Sequence, residues 1–336
     1  MGGKTRAFAL FFVLGFASQA QAQAQLPPQP AVSIYYQNLT GARINPLGLV
    51  NYFRASARFR LFESNSDILK LNYVGIGVVA ATSPAWGRAG FLVEVQPLSI
   101  LQLYAQYEMF GYYGTFNLFA SFPTASADYS DSEIQSRAND PGTENYTTLG
   151  SMLTLGATLQ MKVGPLAVRN IFRAIRSDFD LRNGDRVFYD QIYDMLMPDS
   201  GWIVLNDVDV LGLFDISSRT LAAGIRWSYA QAFYNDDHRL PTEEDSPNNR
   251  IHRVGPLLAL TLRTDARARF NKPTLILLAQ WHIRHRWRTG EDVSQALPYV
   301  GIAFRFEGDF LAPSREAQAA EEAAAEEAAA EEVAGE

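Results

Sequence analysis

The chain has 336 residues and no cysteine, which excludes disulfides, thiol nucleophiles, cysteine-based zinc sites and an acylated cysteine anchor. Hydrophobic residues make up 47% and aromatic residues 12%, a composition that excludes disorder for most of the chain. The net charge is −7, but the eight glutamates from Glu316 to Glu336 contribute −8, so the remaining chain carries +1.

The first 24 residues have the features of a secretory signal peptide. Basic residues near the start are followed by an apolar run over residues 7–17 and by two small-x-small cleavage sites, Ala20-Gln21-Ala22 and Ala22-Gln23-Ala24. The run is too short to cross a bilayer as a helix, and no later stretch reaches about 18 uninterrupted apolar residues. We therefore predict an exported protein, with residues 25–30 as a linker, that is periplasmic or crosses the membrane as a barrel.

The body of the chain, residues 31–306, consists of segments in which apolar and polar residues alternate. In one of them Phe53 and Phe59 share one face of the predicted strand, and Arg54 and Arg58 share the other. Side chains of a strand point alternately to its two faces, and about ten alternating residues per segment are typical of a transmembrane β-strand. In lipid every backbone polar group must be paired, so such a sheet has to close.

The sequence therefore predicts an all-β fold, a transmembrane antiparallel β-barrel of about twelve strands, with ten or fourteen as alternatives. The closing strand should run back toward the periplasm, so short and long links should alternate along the chain. Residues 112–122 and 186–197 could also form strands. Counting either segment alone would give an odd number of strands, so both are assigned to long outer loops.

The last predicted strand carries a further pattern. Gly301 is followed by Phe304 and Phe306 at the spacing Gly-x-x-Phe-x-Phe. This pattern resembles the C-terminal β-signal of bacterial outer-membrane β-barrel proteins. The resemblance implies an outer-membrane location, recognition of these three residues by the barrel assembly machinery, and contacts with outer-membrane lipid and lipopolysaccharide.

The face assigned to the lumen is rich in arginine. Its only predicted acids are Glu94, Glu108, Asp207 and Asp209, whereas basic residues recur on most strands. So many charges are tolerated within a membrane when they line water or pair with one another. The predicted lumen-lining residues are Arg54, Arg58, Arg60, Arg226 and Arg284.

Three functions fit this interpretation. The leading hypothesis is a porin-like channel whose basic lumen prefers small anionic solutes. The alternative is a closed barrel that acts as a structural anchor or surface scaffold, plugged by its own Arg–Glu pairs and inserted loops. The third is an outer-membrane lipid hydrolase, in which His285 faces lipid and acts with Ser294 across the hairpin.

No enzyme activity, cofactor, metal or nucleic-acid partner is expected under the leading hypothesis. His282 and His285 are three residues apart on a predicted strand, so they should point to opposite faces and could not share a metal.

Residues 307–336 form a predicted periplasmic tail. Pairs of glutamates recur at five-residue spacing among alanines from Glu321 onward. Alanine and glutamate favour helices, but the tail has no apolar stripe for docking, so we expect a solvated helix or coil. Such a tail fits an acidic spacer or a tether for a partner.

Overall fold

The structure is a computed structural model that describes residues 30–313, apart from 117–118, 139, 141, 244–248 and 266. The predicted signal peptide and most of the predicted acidic tail lie outside these described residues, so both stay predictions. Among the helices of the described residues, none has the length and apolar character needed to cross a membrane.

Twelve antiparallel strands of the described chain close into one barrel, which confirms the predicted fold and strand number. The first strand pairs with the last, with Tyr35 opposite Asp309 and Ile44 opposite Val300, so the sheet has no free edge. The barrel strands are β1 (Val32–Ile44), β2 (Gly48–Arg60), β3 (Tyr73–Thr82), β4 (Trp86–Leu98), β5 (Leu101–Tyr113), β7 (Thr147–Val163), β8 (Leu166–Phe179), β11 (Ser200–Ile216), β12 (Arg219–Ala232), β13 (Ile251–Thr261), β14 (Asn271–Arg284) and β15 (Tyr299–Asp309).

The outer surface of the barrel is an apolar belt. On β4 the side chain of Phe91 is 72% exposed whereas that of Leu92, which points inward, is 1% exposed. Ile302 on β15 and Met109 on β5 are each 58% exposed. Large apolar side chains exposed around a whole barrel would be costly in water, so this belt faces lipid.

A few amide side chains interrupt the lipid-facing belt, and they bind one another. Asn170 on β8 donates to Asn206 on β11 over 2.7 Å. Asn51 on β2 donates to Asn38 over 3.1 Å and to Thr40 over 2.8 Å, both on β1. Pairing removes most of the cost of placing these polar groups next to lipid.

The two ends of the barrel differ in the length of their links. The end that holds residues 30 and 313, here named the inner mouth, carries short turns such as residues 164–165. Gly164 there has a φ of 57°, a left-handed conformation that glycine adopts without strain. The opposite end, the outer mouth, carries the four longest links, over residues 114–146, 180–199, 233–250 and 285–298. It also carries two links of three residues, 45–47 and 83–85, while the inner link 61–72 has twelve, so the predicted alternation of short and long links holds only from β5 onward.

The long outer loops fold into a small sheet of their own. Its strands are β6 (Ser121–Phe122), β9 (Val187–Asp190) and β10 (Met195–Pro198), in the order β10-β9-β6. The same loops contain the helix α1 (Asp131–Arg137), capped by the Ser130 side chain, and two single 3₁₀ turns, Arg182–Gly184 and Asp236–His238. The assignment of residues 186–197 to a loop outside the barrel wall is therefore confirmed.

Candidate functional site

Ion pairs join the inward side chains of adjacent strands and, in one case, of strands two apart. Nε of Arg58 on β2 lies 2.8 Å from Glu94 on β4, which also accepts hydrogen bonds from Ser56 and Gln102. Arg88 on β4 lies 3.3 Å from Glu108 on β5. Both glutamates are fully buried, and a buried carboxylate is stable only with such partners.

A second set of pairs lies on the opposite wall. Asp209 on β11 receives Arg169 from β8 and Arg226 from β12, each over 2.6 Å. Arg173 on β8 pairs with Asp207 on β11 over 3.0 Å. All four acids predicted for the lumen therefore lie there, and each of them holds at least one arginine.

The lumen keeps an excess of positive charge after this pairing. Arg54 on β2 stacks on the ring of Tyr35, with Cζ 5.4 Å from its centroid, and Arg305 lies on the same inner surface on β15. Among the described residues, the Nε atoms of both arginines are buried and have no hydrogen-bond partner. Arg169 and Arg173 have side chains about one third exposed, at 32% and 31%, so water reaches this part of the lumen.

Four of the five predicted lumen residues lie on the inner face, and Arg284 is the exception. Arg60 lies near the inner mouth and pairs with Glu63. A register shift between β13 and β14 places Arg284 opposite His252, whose ring packs against that of Trp227 on the lipid-facing side. Arg284 is exposed, so it does not line the lumen, because one extra residue at a bulge turns the next side chain to the other face.

The residues of the predicted assembly signal take both faces of β15. Phe304 and Phe306 face outward near the inner mouth, where the ring of Phe306 lies 5.1 Å from that of Phe270. Gly301 faces inward, beside the ring of Tyr299. The role of these three residues in assembly stays a prediction.

The outer end of the lumen is filled by protein. We name residues 119–130 and 180–199 the plug. Its side chains Phe188, Met195 and Met197 are 0% exposed and pack against inward residues of the wall such as Phe110 and Ile203. This is a close-packed apolar core of the kind found in soluble domains, formed inside the mouth of a barrel.

Hydrogen bonds tie the plug to the wall on several sides. Arg43 at the end of β1 donates to the carbonyl of Ile192 over 2.7 Å. The hydroxyl of Tyr112 on β5 donates to Asp190 over 2.8 Å. Tyr234 after β12 donates to the carbonyl of Leu196 over 2.7 Å. Attachments on β1, β5 and β12 show that the plug spans the mouth.

One buried arginine joins its own loop, residues 285–298, to three other loops of the outer mouth. Arg288, with a side chain 3% exposed, lies 2.6 Å from Asp194 of the plug and 2.8 Å from Asp131 of α1, and it donates to Asn45 over 2.9 Å. Burial disfavours the charged form of Asp194, but the His285 ring and the Arg288 guanidinium outweigh it and hold the pKa of this carboxyl well below its usual range. We name Arg288, Asp194 and Asp131 the latch.

The predicted lipid-facing position of His285 is wrong. The ring is buried, Nε2 lies 3.0 Å from the carbonyl of Asp194, and Nδ1 accepts from the backbone of Trp287 and Arg288. Ser294 accepts a backbone hydrogen bond from Ala296 and is not joined to this ring. Nε2 therefore binds the plug, Nδ1 binds the backbone of its own loop, and the proposed His–Ser pair does not form.

The prediction that His282 and His285 point to opposite faces is also wrong. Their ring centroids are 5.2 Å apart, and both rings approach Asp194. β14 ends at Arg284, so the alternation of a strand no longer applies to His285, and the chain turns it inward. Within the described residues, no group of three or more His, Cys, Asp or Glu could hold a metal ion.

A groove of about 540 Å³ lies on the other side of the wall, between outward side chains that include Phe53, Met109, Tyr113 and Leu149. It opens toward lipid and is not part of the lumen.

This geometry is that of a membrane barrel with a basic lumen and a closed outer mouth. The chain has the fold of the bacterial outer-membrane β-barrels. No family model matches the sequence, and no curated protein matches it.

Solved structures of similar shape include three outer-membrane proteins, none with more than 10% sequence identity. CdiB from Acinetobacter baumannii has a TM-score of 0.35 at 7% identity, and the match covers 83% of this chain but only 60% of CdiB. The TodX monoaromatic hydrocarbon channel has 0.30 at 10%, covering 83% and 89% of the two chains, and Pseudomonas aeruginosa OprD has 0.26 at 9%, covering 84% and 96%. These values carry no inference about solute or mechanism.

Proposed function

We propose that the protein is a porin-like barrel of the bacterial outer membrane that is closed at rest by its plug and selects small anions when the plug moves. The observation that carries the proposal is the excess of arginine on the inner surface after every lumenal acid has been paired. Among the described residues, Arg54 and Arg305 are two of the inward arginines that form no ion pair with a carboxylate, and both lie between the plug and the inner mouth.

The mechanism is electrostatic. Unit charges about 4 Å apart interact by about 4 kcal/mol at an effective dielectric constant near 20. Unpaired guanidinium groups around a narrow aqueous path therefore lower the energy of an anion there and raise that of a cation. Salt screens these charges: the Debye length, the distance over which they act, falls from about 10 Å at 0.1 M salt to about 3 Å at 1 M.

A second candidate function is a permanently closed barrel that acts as an anchor or scaffold. The apolar core of the plug favours it, since Phe188, Met195 and Met197 are as buried as the core of a soluble domain. A plug of this kind opens only when that core is disrupted.

Ion-reversal potentials in planar bilayers test the channel. We expect the wild type to be mostly closed and Arg288→Met to conduct, with chloride preferred to potassium several-fold at 0.1 M salt and less at 1 M. Adding Arg54→Gln and Arg305→Gln to the open variant should remove most of the preference.

Asp236→Asn, in an exposed outer loop, is the control and should leave selectivity unchanged. Conductance that favours potassium and ignores the two arginine changes would refute the anion preference. Complete absence of current from correctly folded Arg288→Met would establish the closed scaffold instead.

A further inference from the structure

Directly beneath the plug, two basic side chains face each other across neighbouring strands. Arg253 on β13 and His282 on β14 are register partners, and both point into the lumen. His282 is 1% exposed. Among the described residues, both of its ring nitrogens are buried without a hydrogen-bond partner, and so are Nε and Nη1 of Arg253.

In the described part of the chain, neighbouring side chains contact Arg253 but do not accept hydrogen bonds from its buried Nε and Nη1. Cζ of Arg253 lies 4.5 Å from the centroid of the Tyr299 ring, which contributes a cation–π contact but accepts no conventional hydrogen bond. On the neighbouring strand, Ser228 is opposite Arg253, but its hydroxyl donates to Asp207 over 2.6 Å.

The nearest carboxylate is already in use. Oδ2 of Asp194 lies 3.9 Å from Nε2 of His282, beyond hydrogen-bond range. Asp194 is bound by Arg288 over 2.6 Å and by the hydroxyl of Tyr189 over 2.9 Å. Because Asp194 already binds Arg288 and Tyr189, it does not neutralise Arg253 or accept a hydrogen bond from His282.

A buried guanidinium with unused donors is costly, and an anion with several acceptor oxygens is the group that removes this cost. We propose that Arg253 and His282 form a binding site for one small oxyanion, a carboxylate or a phosphate. Such an anion would receive hydrogen bonds from the guanidinium of Arg253 and from a ring N–H of His282, and the roof of the site would be the plug.

The site lies inside the proposed anion-selective lumen and rests on that function for its role, as the last position an anion reaches before the plug. Its occupancy needs no conduction, because the ligand enters from the inner mouth. Binding can therefore be measured on the full, closed barrel.

Titration calorimetry on the purified, detergent-folded chain tests the site, with inorganic phosphate and acetate as separate probes at constant ionic strength set by chloride. We expect one saturable event per barrel for at least one probe, and the stronger probe identifies the class of oxyanion. Arg253→Gln should weaken binding tenfold or more, His282→Gln should weaken it less, and Arg253→Lys should retain part of it.

Arg284→Gln is the matched control. Arg284 follows His282 by two residues at the end of β14, but it is exposed and lies outside the lumen, opposite His252. Binding should survive this change. Absence of saturable binding to either probe, or binding that Arg253→Gln leaves intact, would overturn the site; saturable binding by a barrel that never conducts would support the site while refuting the channel.

Discussion

The outer and inner parts of the lumen are built on the same strands but have opposite interiors. Near the outer mouth the inward residues are apolar, as Phe110 and Ile203 are, and they pack on a plug whose Met197 is 0% exposed. Toward the inner mouth the inward residues are charged, and Arg169 and Arg173 remain about one third exposed. Whether water enters a given part of this barrel therefore depends on the inward side chains at that level and on the loops that pack against them, since the same strands enclose both parts.

The largest expected effect comes from removing the latch. Arg288→Met leaves Asp194 buried without its main partner, a change that costs about 3–5 kcal/mol. The plug should lose protection against hydrogen exchange while the barrel strands keep theirs. Arg284→Met is the matched control, because this exposed arginine lies on the same segment outside the plug. Equal protection in both variants would show that the plug does not depend on the latch.

The second-largest effect is expected from truncating a methionine in the core of the plug rather than one on the lipid-facing belt. Met197→Ala in the plug should cost about 2–5 kcal/mol, because it opens a cavity in a close-packed core. Met109→Ala on the lipid face, 58% exposed, should cost much less. Urea denaturation from detergent or lipid gives both free energies of unfolding. Similar values for the two variants would show that the plug core is loosely packed.

The smallest effect is acid loosening of the plug. The folded-state pKa of Asp194 lies well below its usual range, so its contribution to stability is present above the unfolded value of about 4 and is lost as the pH falls through the folded value. The protection factors of the plug amides, which are corrected for the intrinsic pH dependence of exchange, should be flat from pH 7 to about 5 and fall only below about 4. In Arg288→Met this acid dependence should shrink, and loosening that begins near pH 6 would point to a histidine instead.

Much of the barrel could be predicted because a closed sheet in lipid obeys a local rule. Alternation along each strand gave the twelve strands, the two faces of β15 and the parity that assigned residues 186–197 to a loop. The error at Arg284 has the same origin, since a single bulge reverses the alternation and leaves no mark in the residue pattern.

The plug could be anticipated only in part. Val187-Phe188-Tyr189 and Met195-Leu196-Met197 are apolar runs inside a loop, and wall strands that are apolar on both faces near the outer mouth indicate a covered interior. What these runs pack against depends on loops more than a hundred residues away. The importance of Asp194 and Arg288 could not be found by periodicity, because both lie in loops. For Arg253 on β13, periodicity gives the inward direction but not the missing carboxylate partner.

The sequence by itself determined the closed, twelve-stranded barrel, its lipid-facing belt and a lumen with more arginine than acid. These features follow from the two-residue repeat of a strand and from the need to pair every backbone group in lipid. Only the tertiary structure decided that the outer mouth is filled, that His285 is buried, and that Arg253 faces His282 without a carboxylate. Those features depend on contacts between distant segments, where packing and charge pairing in three dimensions replace the local repeat.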